Sequence, residues 1–142
     1  MTLTVNFNTT FSTLNRLATD PLAPWLKYVA ISEKKKVEER IKSTKVDPDG
    51  HAWEPWAPST EAYRRKHGTE ESGLLLDSGA LLASFVAKSN TNSATISSEG
   101  IPYAGWLQHG TNHMPARPYL GWSTVSLATL ELEAAVFLAK IK

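Results

Sequence analysis

Apolar and polar residues alternate at the start of the chain. Leu3, Val5 and Phe7 fall on one side and Thr4 and Asn6 on the other, which predicts a short strand with one buried face. Thr9 or Thr10 then offers a cap for a short helix carrying Phe11, Leu14 and Leu17, stopped by Asp20-Pro21. Beyond it the apolar spacing becomes helical. Leu22, Leu26, Val29, Val37 and Ile41 line one stripe, so a long helix is expected from about Leu22 to Ser43. Pro24 sits in its first turn, where a missing N–H costs little. Lys34, Lys35, Lys36, Glu38, Glu39 and Arg40 are assigned to the opposite, solvated face.

The middle of the chain is rich in turn chemistry. In Val46-Asp47-Pro48-Asp49-Gly50, Pro48 presets φ and Asp49-Gly50 accepts tight geometry. A calcium loop is not supported, because the other acidic ligands and the final Glu are absent from the required positions. Pro55 and Pro58 forbid a central strand or helix interior across Trp53-Glu54-Pro55-Trp56-Ala57-Pro58, so an extended loop pinned by its tryptophans is expected. Ser59 or Thr60 should cap a short helix from Glu61 to Lys66, ended by Gly68. Thr69 to Gly73 is polar and expected to be mobile, and Leu74-Leu75-Leu76 reads as a buried run. Asp77-Ser78-Gly79 forms a turn before one helical turn at Ala80-Leu81-Leu82.

Ser84–Ser89 and Ser93–Ser98 alternate as two strands, and Asn90-Thr91-Asn92 joins them as a hairpin. Tyr103 to His109 is expected to be a short helix after Pro102, closed by Gly110. A last helix spans about Trp122 to Ile141, capped by Ser123 or Thr124, with Val125, Leu130, Phe137 and Ile141 apolar. There are no repeats and no low-complexity tracts.

Composition narrows the function. The 142 residues suit one domain, 1–142, with a real core. Fifteen basic and fourteen acidic side chains give a net charge of +1, without the basic excess usual for nucleic-acid binders. With no cysteine there are no disulfides and no thiolate chemistry. The first residues lack the pattern of a secretory signal, and no run of about 18 apolar residues suggests a membrane span. Five tryptophans are many, and Trp is favoured both in cores and at interfaces.

No catalytic signature emerges. His109 and His113 have metal-ligand spacing, but Gly110 and Asn112 break the helix between them and no third ligand is near, so no metal and no cofactor is expected. Ser78 lacks a Gly-x-Ser-x-Gly elbow. Arg117, between Pro115 and Pro118, has a stiffened backbone that suits a carboxylate partner, either across a subunit boundary or as an internal salt bridge holding the loop.

Four blocks, in order, resemble a phage family, the virion morphogenesis or tail completion proteins of Mu-like and P2-like tailed phages. Pro48 to Pro55 with Thr60 resembles the family's Pro-x-Gly, Trp-x-Pro and Thr loop. Leu75 to Ser84 resembles its Leu-x-Asp-Thr-Gly-x-Leu-x-x-Ser segment, with Ser78 in place of Thr. Tyr103-Ala104 through Gln108-His109-Gly110 resembles its Tyr-Ala, then His-Gln-x-Gly segment, with the His and Gln order changed. Ala116 to Gly121 resembles its Ala-Arg-Pro-Phe-Leu-Gly segment, with Tyr119 for Phe.

The resemblance implies an α+β fold in which a small curved antiparallel sheet is flanked by a long N-terminal helix and a C-terminal helix. It also implies a non-enzymatic virion protein, assembled in the host cytoplasm and resident in the tail or neck. Such proteins form rings, often hexamers, that cap the tail tube, meet neck or connector proteins and let genomic DNA pass without sequence readout; no membrane is involved. On this view Trp53, Trp56, Trp106, Arg117, Tyr119 and Trp122 are candidate interface residues. Pro48, Gly50, Asp77, Gly79, Tyr103, His109 and Gly110 form a structural turn signature. Two other readings stand beside it. One is a nucleic-acid module using Lys34-Lys35-Lys36 and Arg64-Arg65-Lys66, and the other a small hydrolase using Ser78 or a histidine.

Overall fold

In a computed structural model, residues 2–6 and 22–140 are described. The short helix expected around Phe11 to Leu17 lies outside them, as do Phe7 and Ile141. The described elements run β1 (Thr2–Asn6), α1 (Ala23–Glu39), α2 (Pro58–His67), α3 (Ala80–Ala83), β2 (Phe85–Ser89), β3 (Ser93–Ser98), α4 (Ala104–His109) and α5 (Thr124–Lys140). This is the expected α+β architecture.

The three strands form an antiparallel sheet in the order β1-β3-β2. Leu3 lies opposite Ile96 and Val5 opposite Ala94, while Ala87 faces Ile96 from the other side. Alternation decides which face is buried: Ala94 and Ile96 point into the core. The hairpin turn is built by Asn90, whose side-chain oxygen accepts hydrogen bonds from the N–H groups of Asn92 at 2.9 Å and Ser93 at 2.8 Å.

α1 serves two cores. Leu22, Trp25, Leu26 and Val29 pack with Ala94 and with Leu130 and Ala134 of α5. Val37 and Ile41 pack with Trp53, Phe85, Ile96 and Tyr119. The helix ends in a wider π turn, Arg40–Thr44, closed by a 2.9 Å hydrogen bond from the N–H of Lys45 to the carbonyl of Arg40. Arg40 is a correction to the sequence expectation. It is buried, because it lies three residues after Val37 and beside Ile41 on the inner stripe; Glu33 shares that stripe and is also buried.

Local chemistry explains other departures. α2 begins at Pro58 rather than Glu61 and has no side-chain cap, since proline itself opens the first turn. Glu70–Ser72 forms a 3₁₀ turn within the stretch expected to be mobile. Leu74, Leu75 and Leu76 are half-buried and pack on the rim of the second core. Ser123 is the cap of α5: its hydroxyl oxygen accepts from the N–H of Ser126 at 2.9 Å.

Gly110 closes α4 with φ +74°, and a Cβ there would lie 2.6 Å from the nitrogen of Ala116 and 2.8 Å from the oxygen of Met114. Gly105, inside α4, has nothing within 4 Å of such a Cβ. Gly110→Ala should therefore destabilise the fold by about 3 kcal/mol, from steric overlap and left-handed strain. Gly105→Ala should stabilise it by about 0.5 kcal/mol. Urea denaturation of the two variants beside the parent chain checks both signs.

Candidate functional site: a strap and the cleft beneath it

Residues 115–121 cross the molecule with no strand partner among the described residues. Buried peptide groups outside a ladder must find partners elsewhere, and here side chains supply them. The Gln108 side-chain oxygen accepts from the N–H groups of Tyr119 at 3.1 Å and Leu120 at 3.0 Å, and its amide nitrogen donates to the Leu120 carbonyl at 2.6 Å. Trp53 Nε1 donates to the Pro118 carbonyl at 2.9 Å and Arg40 Nη1 to that of Tyr119 at 3.1 Å. The N–H of Arg117 donates to the carbonyl of Leu107 at 2.9 Å.

The strap returns bonds to its neighbours. Arg117 Nε donates to the Glu54 carbonyl and its Nη2 to that of Pro55, both at 2.9 Å. Tyr119 Oη donates to the Ala104 carbonyl at 3.0 Å. The expected carboxylate partner of Arg117 is thus replaced by two peptide oxygens. The prolines explain it: they keep this loop from forming a ladder, leaving its carbonyls in need of donors. Burial lowers the pKa of the Arg117 guanidinium, opposed by the charge of Glu54. Burial lowers that of Arg40 too, against Glu33, Asp47 and Asp49. Gly121 lets the strap approach the 46–50 turn, for a Cβ would come 2.8 Å from Cγ of Pro48.

Beside the strap lies a cleft of about 330 Å³ to which all four signature blocks contribute: Thr60, then Leu75 and Asp77 to Leu81, then Tyr103 and Leu107, then Arg117. The guanidinium of Arg64 lies 4.4 Å above the Trp56 ring and reaches Asp77 at 3.1 Å, tying α2 to the 77–79 turn. Leu75 holds a left-handed φ of +62° in the wall, a strained geometry for a branched side chain. Ser78 and His113 both line the cleft. The Ser78 hydroxyl oxygen accepts from the N–H of Ala80 at 3.3 Å. Among the described residues no hydrogen bond joins it to His113, and no His, Asp and Glu cluster could hold a metal.

The candidate interface residues fall into distinct settings. Trp53, Arg117 and Tyr119 are buried within the chain, and Trp56 and Trp122 are half-buried. Trp106 is 62% exposed on α4, with Tyr103 exposed one turn before it. The Trp122 indole N–H is buried without a hydrogen-bond partner among the described residues. Of the turn residues, Gly50, Gly79 and Gly110 have positive φ, Asp77 pairs with Arg64, and His109 is exposed. Sequence reasoning missed Gln108 and Arg40 as organisers. The available signal for Arg40 was its place on the apolar stripe, and for Gln108 its position within a motif block.

Two pairs of variants probe the strap. Trp53→Phe orphans the Pro118 carbonyl, whereas Trp122→Phe removes an unpaired donor, so the first should cost about 1–3 kcal/mol more than the second in chemical denaturation. Burial raises the Tyr119 phenol from 10.0 to about 12. The fold favours the neutral form, so its contribution is complete below pH 10 and is lost as the pH rises through about 12. Tyr119→Phe should flatten this alkaline loss in stability curves measured across that range, while costing about 1 kcal/mol at neutral pH.

The model of the phage virion morphogenesis family matches residues 4–131. No curated protein and no solved structure matches the chain. Since the family match covers most of its length, the chain belongs to the phage virion morphogenesis family.

Proposed function

We propose that this member of the phage virion morphogenesis family is a structural subunit of a ring, hexameric by the family resemblance, that caps the head-proximal end of a phage tail and joins it to the filled head. The carrying observation is that the four signature blocks meet at one strap and cleft, where their polar side chains are spent on holding backbone. Such bracing suits a rigid assembly surface, because little freedom is then lost on association. Trp106 stands exposed on the braced helix α4 and Tyr103 at its N-terminal cap, and an exposed aromatic on a fixed platform is a typical anchor of a protein contact. Trp53, Arg117 and Tyr119 act on such a contact through the loops they fix.

On this reading the protein is not an enzyme. Ser78 caps a turn, and His113 lacks an orienting carboxylate among the described residues. The nucleic-acid alternative is weakened by pairing: Lys34 with Glu38, Lys36 with Glu33, Arg64 with Asp77 and Arg65 with Glu61. DNA then passes the ring without being gripped, which the net charge of +1 accommodates. Contacts with the tail tube and with neck or connector proteins complete the assignment.

Particles made without this gene product test the proposal by electron microscopy. Separate filled heads and tails are the expected outcome. Intact infectious virions would exclude a joining role.

A further inference from the structure

α1 and α5 run antiparallel. Pro24, Trp25 and Tyr28 at the start of α1 lie beside Leu132, Val136 and Phe137 near the end of α5, and Ser32 and Lys36 lie toward Val125. Between them is an open, mainly apolar groove of about 420 Å³. Its walls are unusual for a solvated surface: Leu132 is 70% exposed, Tyr28 61% and Val136 50%. α5 buries Leu130 and Ala134 on its inner side yet carries a second stripe, Val125, Thr129, Leu132 and Val136, in steps of four, three and four. A helix apolar on two sides has room for two packing partners, and among the described residues α1 and the sheet take up the inner side.

Two antiparallel helices with an open apolar groove are half of a four-helix bundle. We propose that a second copy of this chain fills the groove, α5 lying antiparallel to α5 of the other copy about a two-fold axis. The charges set the occupant and the register. Glu133 and Lys140 line the groove, seven residues apart and so on one flank of α5, about 10 Å along its axis. Neither has an ion-pair partner among the described residues. A two-fold axis beside Val136 and Phe137 places Glu133 of each copy against Lys140 of the other, making two equivalent pairs. A net charge of +1 imposes little repulsion between copies.

A two-fold contact satisfies itself and cannot close a larger ring. This face is therefore separate from the ring-forming surface, and the dimer is the state of the free chain. The inference does not depend on the ring assignment.

Sedimentation velocity of the purified full chain over a concentration series tests it. The parent chain should be a dimer. Leu132→Glu should weaken dimerisation about 100-fold, by setting two unpaired charges in the contact, while its circular dichroism stays that of the parent. Glu133→Lys or Lys140→Glu alone should weaken it about tenfold, since each sets like charges against one another in both pairs. An equimolar mixture of those two variants should recover parent-like affinity as a heterodimer, because one copy then carries only positive charge at the two positions and the other only negative. A parent chain monomeric at every concentration overturns the proposal and leaves the groove to a different protein. A dimer, or a larger species, that ignores these substitutions overturns it equally.

Discussion

A peptide segment that crosses the interior without a strand beside it must have its polar groups satisfied some other way, and the 115–121 strap imposes that demand on this fold. Gln108, Trp53 and Arg40 meet it from three directions. They come from α4, the loop after the 46–50 turn, and the end of α1, so satisfying one segment fixes three others. Removing one member leaves a buried group unpaired, which costs more than the bond itself contributes. Buried networks of this kind strengthen one another when complete.

The strap also accounts for the composition of its surroundings. Prolines at 55 and 58 keep the preceding loop out of any sheet, and the Glu54 and Pro55 carbonyls become acceptors for Arg117. Arginine suits this place because its planar fork donates two bonds to neighbouring oxygens with a fixed geometry. Tyr119 adds a large apolar ring to the second core and an O–H for the Ala104 carbonyl. The same residues thus hold α4 in place and with it the exposed Trp106.

The two ends of α1 have different physical characters. Its C-terminal end is sealed into the strap by Arg40, Ile41 and the π turn. Its N-terminal end packs on α5 and leaves apolar side chains facing outward. One end is therefore rigid through buried hydrogen bonds, and the other presents a surface whose burial would lower the free energy through the hydrophobic effect.

Periodicity located β1, α1, the strands β2 and β3, and α5, because each carries a local repeat of two or 3.6 residues that a single window reveals, while Pro102 and Gly110 marked the ends of α4. Turn chemistry located the 46–50 and 77–79 turns for the same local reason. The order of the four motif blocks gave no hint that they share one cleft or that Arg117 donates to peptide carbonyls. Arg40 and Gln108 were hidden because a charged or amide side chain reads as solvated until the segment it must satisfy is folded against it. Local patterns determined which elements form. Only the tertiary structure decided which polar groups lie buried together, since that depends on contacts 62 and 79 residues apart in sequence for Arg117 and Arg40, and on the strap folding back over α4 for Gln108.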